Sequence, residues 1–120
     1  MGLTLAGTLA ALAGTPAQAQ TTRYDGLWSV LIITQTGTCD RGYRYAVRIN
    51  RGRVSHADPA SSSFDIRGRV AGGGGIQVSV ARGNNRADGA GRMSRTSGSG
   101  KWRSDRGECA GIWTAEKRGP

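Results

Sequence analysis

Apolar residues recur at every second position along most of this chain, and almost nowhere at the three-to-four spacing of a helix. Tyr43, Tyr45, Val47 and Ile49 alternate with Arg44, Ala46, Arg48 and Asn50. That is a strand with one face in a core and the other in water. Trp28, Val30 and Ile32 share a face in the same way, although Leu31 and Ile33 make that strand apolar on both sides. Val54 begins a short strand. The remaining alternations run through Phe64, Ile66, Gly68 and Val70, then Ile76, Val78 and Val80, then Ala87, Gly89, Gly91 and Met93. Gly98, Gly100 and Trp102 form the next, and Cys109, Gly111, Trp113 and Ala115 the last. Turn-forming clusters separate them, among them Asn50-Arg51-Gly52, Asp58 to Ser63, Gly72 to Gly75, Gly83-Asn84-Asn85 and Asp105-Arg106-Gly107. The pattern predicts an all-β fold, a small antiparallel up-and-down barrel of about eight strands, with a two-sheet sandwich as the alternative.

Two features favour the barrel. Cys39 follows the first strand and Cys109 opens the last. If those strands pair antiparallel, a Cys39–Cys109 disulfide lies where the barrel closes. The other feature is a repeat: Gly89-x-Gly91-x-Met93, Gly98-x-Gly100-x-Trp102 and Cys109-x-Gly111-x-Trp113 each set a small residue two before a large one on one face. Glycine permits sharp bending, and a neighbouring large side chain fills the space it leaves.

The N-terminus departs from this pattern. Leu3 to Ala13 is an uncharged apolar run, Gly14, Thr15 and Pro16 break it, and Ala17-Gln18-Ala19 is a small-x-small cleavage motif. The run is shorter than the roughly 20 residues a bilayer-spanning helix needs. Residues 1–19 therefore read as a signal peptide cleaved after Ala19, and residues 20–120 as one β-domain of a periplasmic or secreted protein. A basic leading segment is missing, which points to a true start upstream of Met1. No later segment is apolar enough to be a transmembrane helix. Export makes the cysteine pair a disulfide, and a domain this small with a thin core benefits from such a staple.

Charge changes the picture next. The chain carries a net +9, with 17 basic against 8 acidic residues. Such a balance favours polyanionic partners such as an anionic polysaccharide. The basic residues are spread along the strands, which also fits ordinary solvated faces. Thr38-Cys39-Asp40-Arg41-Gly42-Tyr43-Arg44-Tyr45 is the densest polar-aromatic segment, and Arg41, Tyr43, Arg44 and Tyr45 are the candidate ligand-binding residues. In the structural reading of the same segment, Tyr43 and Tyr45 line the core and Asp40 pairs with Arg41 or Arg44.

Catalysis and metal binding have little footing. The single histidine is His56, with Asp58 two residues on, and no nucleophile elbow accompanies them. The carboxylates show no defensible glycosidase pairing, and no Cys/His/acidic cluster has metal-ligand spacing. The Gly72 to Gly75 run lacks the Gly-Lys-Ser/Thr ending of a phosphate loop. Neither a cofactor nor an enzymatic activity is expected.

Gly26-Leu27-Trp28 resembles the Gly-x-Trp that opens lipocalin and avidin-type barrels. That resemblance implies a basic residue of the last strand packed over the tryptophan, here Lys117 or Arg118. Asp25-Gly26-Leu27-Trp28-Ser29-Val30, Thr38 to Tyr45, Gly98-Ser99-Gly100-Lys101-Trp102 and Cys109-Ala110-Gly111-Ile112-Trp113 together resemble a family of small exported alphaproteobacterial proteins. The family is largely uncharacterised and is sometimes labelled as exoproteins involved in haem utilisation or adhesion. The residues lend haem no support, since His56 stands alone and no CxxCH is present. The leading expectation is an exported non-enzymatic binding module for an anionic ligand or cell-envelope surface. The alternative is a small barrel-type inhibitor of a secreted protease, with Gln20-Thr21-Thr22-Arg23 as the arm that enters the protein partner.

Overall fold

The structure is a computed structural model, and it describes residues 21–61 and 63–120. The expected leader and cleavage site lie outside the described residues, as does Gln20 of the N-terminal arm. Eight strands follow in order: β1 (Gly26–Thr36), β2 (Gly42–Asn50), β3 (Arg53–His56), β4 (Asp65–Val70), β5 (Gly75–Arg82), β6 (Asn85–Met93), β7 (Ser97–Ser104) and β8 (Ala110–Gly119). A short 3-10 turn at Pro59–Ser61 lies between β3 and β4. Each strand pairs antiparallel with the next, and β8 pairs with β1, closing the barrel. No helix among the described residues is long and apolar enough to cross a membrane.

The register confirms the alternation. Trp28 opposes Val47 on β2 and Lys117 on β8, and Val30 opposes Tyr45 and Ala115. Directly opposed residues share a face, so these side chains point into the barrel. The lower interior is packed by Tyr24, Trp28, Val47, Ile49, Val54, Ile66, Val70, Ile76, Met93, Trp113 and Ala115, all buried. Closure also explains the two-faced β1: Leu31 and Ile33 point outward, where Ile33 meets Ile112 across the seam and both stay half-buried.

Cys39 and Cys109 form a disulfide with Cα atoms 6.2 Å apart, bridging 70 residues of sequence. It lies at the β1–β8 seam, beyond the last pairs Thr34–Gly111 and Thr36–Ala110. Gly37 makes this approach possible: it has φ +96°, and a Cβ there would lie 2.8 Å from the Cys109 sulfur.

The glycine-and-large repeat also has a physical counterpart. Trp113 lies flat against the inner face of β6 and β7. A Cβ on Gly91 would come within 2.7 Å of its ring, and one on Gly100 within 2.6 Å of its Nε1. Its indole N–H reaches over the strand and donates to the Ala90 carbonyl at 3.2 Å. Trp102 does the same across Gly111, donating to the Ile33 carbonyl at 3.2 Å.

Candidate functional site

The up-and-down course gives the barrel two unlike ends. The connections at 51–52, 71–74 and 94–96 cluster at one, together with the N-terminal arm. The arm closes this end as a floor. Tyr24 is buried beneath the barrel, its carbonyl accepts the Trp28 indole N–H at 2.8 Å, and its hydroxyl donates to the Gly72 carbonyl at 3.4 Å. The Asp25 carboxylate then grips the β2–β3 turn, accepting from the Arg51 amide at 2.8 Å and the Gly52 amide at 3.3 Å. Arg51 and Gly52 have φ of 54° and 79°, the left-handed pair that a two-residue hairpin turn requires. Carboxylate acceptors on two consecutive amides hold that turn in place.

Lys117 faces the same floor. It opposes Trp28 in the register, and its Cε lies 2.7 Å from where a Cβ on Gly26 would stand. Arg118 turns outward and pairs with Glu116 at 3.4 Å. Thr21 and Arg23 of the arm belong to this floor, with the Arg23 amide donating to the Thr21 hydroxyl at 3.3 Å.

The opposite end carries the connections at 37–41, 57–64, 83–84 and 105–109 and stays open. A cavity of about 460 Å³ descends from it into the barrel, within the range of small-ligand sites. Its upper wall is apolar and aromatic: Ile32, Tyr45, Val78, Val80 and Trp102 are only partly buried because they face this space. Phe64 and Tyr43 stand at the mouth. The Tyr43 ring lies 5.7 Å from Tyr45 and 5.3 Å from Phe64, both tilted, so three rings form one cluster. Arg82 continues the inward series Ile76, Val78, Val80, and its guanidinium sits 5.3 Å above the Phe64 ring, a favourable cation–π placement. Among the described residues no carboxylate forms a salt bridge with Arg82.

Burial in this wall, with a smaller push from the neighbouring Tyr43, raises the Tyr45 hydroxyl to about 12. At the rim, Glu108 accepts the Ser104 hydroxyl at 2.7 Å, and this bond foremost holds its carboxyl below the ordinary value. Ser104 also accepts the Cys109 amide at 2.9 Å, tying the rim loop to the disulfide.

The four candidate ligand-binding residues divide. Tyr43 and Tyr45 enter the cavity wall. Arg44 points away from it, on the outer face, and donates to the Ser29 hydroxyl at 3.0 Å. Arg41 is exposed in the rim loop, where its carbonyl accepts the Thr34 amide at 2.9 Å. Asp40 likewise acts through its backbone, accepting the Thr34 hydroxyl at 2.6 Å, and forms no ion pair with Arg41 or Arg44. His56 ends β3, and its Nδ1 accepts the Asp58 amide at 2.9 Å. No group of three metal-ligating side chains comes together among the described residues.

Arg82, Phe64 and Trp102 are the site residues that the sequence reading did not single out. For Arg82 the signal was present: period two carried one step past Val80 places it on the lumen face. Neither a protein-family model nor a curated protein matches this chain.

Proposed function

We propose that this chain is an exported, non-enzymatic binding module that holds a small anionic ligand in the barrel lumen. The carrying observation is the apolar cavity with a sealed floor and an open mouth, over which Arg82 is stacked. A space of this size in a domain with so thin a core sacrifices packing that would otherwise stabilise it, which makes occupancy by a ligand its best account. Export is supported by the cleavage motif at Ala17-Gln18-Ala19 and by the disulfide.

The test is a titration with a panel of small aromatic and aliphatic acids, read by tryptophan emission and by thermal stability. A saturable change is expected for some members, because Trp102 lines the cavity and ligand bound to the native state alone stabilises it. Ala87→Trp, which fills the upper lumen, abolishes that change. No saturable response to any member, or a response that survives Ala87→Trp in a folded protein, overturns the reading.

A second reading, an anionic polysaccharide on the outer face, is favoured by one feature. Arg53 directly opposes Arg69 across β3 and β4, and no salt bridge involves either among the described residues. Like charges so placed repel one another, and a polyanion relieves the repulsion. Retention on heparin that falls to lower salt in an Arg53→Gln, Arg69→Gln variant supports it. Elution unchanged by the substitutions removes it.

A further inference from the structure

We infer that the lumen is shaped for a flat bicyclic aromatic carboxylate, which enters ring first and leaves its carboxylate at the mouth against Arg82. The inference deepens the reading of the lumen as a ligand site and rests on it.

Orientation follows from where polar groups are already engaged. All three indole N–H groups donate to backbone carbonyls: Trp28 to Tyr24, Trp102 to Ile33 and Trp113 to Ala90. The Thr34 hydroxyl donates to the Asp40 carbonyl. A polar group carried deep into the lumen would therefore lose its water and find no donor in exchange. Near the mouth, Ser104 is bonded to Glu108 and to the Cys109 backbone. Among the described residues, the polar side chains that remain on the lumen face there are Tyr43, Tyr45 and Arg82, with Asn85 directly opposite Arg82 in the β5–β6 register.

Shape follows from the walls. One side is the ring cluster Tyr43, Tyr45 and Phe64, and Trp102 on β7 adds a fourth aromatic surface to the same space. The wall beside Trp102 carries Gly89, which has no side chain to break the surface. Rings face rings in offset or edge-on contacts worth more than their area alone, so a planar aromatic plate suits this lumen better than a flexible chain. A cavity of about 460 Å³ falls in the lower half of the range of small-ligand sites. A fused two-ring acid belongs to that size class.

Charge selects the head group. The Arg82 guanidinium carbon lies 5.3 Å from the Phe64 ring centroid, and a guanidinium presents a planar fork of N–H donors that matches the two oxygens of a carboxylate. Asp40, Asp105, Arg106 and Glu108 also line the mouth, but all four belong to the rim loops 37–41 and 105–109, whereas Arg82 ends β5 on the lumen face and lies over the Phe64 ring. Arg86 is paired with Asp88 at 3.6 Å. Arg82 is thus the cation left to meet the ligand.

The experiment is isothermal titration with 2-naphthoate, its neutral isostere 2-naphthamide, its saturated counterpart decalin-2-carboxylate and the cation 2-naphthylmethylamine. Expected is saturable 2-naphthoate binding, with the amide and the saturated acid each about tenfold weaker, as for loss of one exposed charge-assisted bond or one set of ring contacts. Arg82→Gln erases the preference for naphthoate over naphthamide, and Arg82→Lys keeps part of it, with circular dichroism confirming the fold of both. Equal binding of acid and amide, a preference that survives Arg82→Gln, or tighter binding of the amine overturns the pairing with Arg82. Equal binding of the saturated acid overturns the aromatic selectivity. In each of those cases the lumen still binds. Silence toward all four compounds, together with silence toward the wider acid panel, refutes the lumen reading itself.

Discussion

The two ends of this barrel solve the same problem with opposite means. At the floor the connections are two to four residues long, and Tyr24, Trp28 and Val54 are buried with 3%, 0% and 5% of their surface exposed. At the mouth two of the loops run to five residues and one to eight, and Tyr43 keeps 36% of its surface exposed. Burial holds the floor, and a covalent bond holds the mouth. A disulfide tolerates an empty space beside it, whereas a packed core does not. Cohesion without filling is what a binding cavity needs.

The largest expected effect tests the floor. Trp28→Ala removes a fully buried indole together with its bond to the Tyr24 carbonyl, and should cost about 3–5 kcal/mol. Urea denaturation of this variant measures it. A loss below about 1 kcal/mol would mean that the floor is not where the stability resides, and the contrast with the mouth would collapse.

Removing the disulfide comes next. A double Cys39→Ser, Cys109→Ser variant should lose up to roughly 4 kcal/mol, the chain-entropy value for a loop of this length. The location of the damage matters more than its size. Amide exchange should accelerate around residues 36–42 and 105–110 and stay slow near Trp28 and Val54. Uniform acceleration would show that the staple supports the whole barrel and not the mouth.

Tyr45 gives a smaller effect and a pH signature. Its folded pKa is raised, so it stays neutral in the native protein where the unfolded chain already ionises. The stability tied to this difference is complete below pH 10 and is lost as pH rises from there to about 12. Two units correspond to about 3 kcal/mol. Denaturation measured at pH 9 and pH 12 should show that loss, and Tyr45→Phe should remove this component. If Tyr45 instead titrates at its ordinary value in an absorbance titration, the upper wall is open to water and the apolar character of the lumen is wrong.

Much of the barrel was legible in the sequence because period-two alternation reports which face a residue takes. Tyr43 through Asn50 read correctly for that reason, and the position of Cys39 and Cys109 relative to the first and last alternations located the seam. Alternation says nothing of how full the interior is. Ile32, Val78 and Val80 have the same pattern as Ile49 and Val54, and all five border the cavity, yet the last two are buried and the first three only partly so. The difference comes from non-local geometry: Tyr24 fills one end, and no described loop residue fills the other to the same degree. The floor clamp was invisible for the same reason, since Asp25 meets Arg51 across 26 residues. Arg44 lies on the outer face, as its alternation implies, although nearness in sequence had grouped it with Tyr43 and Tyr45 as a candidate ligand residue; neighbours on a strand point in opposite directions.

That last point yields the smallest and most discriminating expectation. Arg44 and Arg82 are both exposed arginines, one on the outer face and one at the mouth. Arg44→Ala removes an exposed bond to Ser29 and should change stability by no more than about 0.5 kcal/mol. It should also leave the affinity for 2-naphthoate unchanged, while Arg82→Gln weakens it. If Arg44→Ala weakens naphthoate binding as much as Arg82→Gln does, general positive charge attracts the ligand and the lumen face has no privilege. If Arg82 matters and Arg44 does not, the two-residue alternation of β5 has carried its arginine to the open mouth of the barrel.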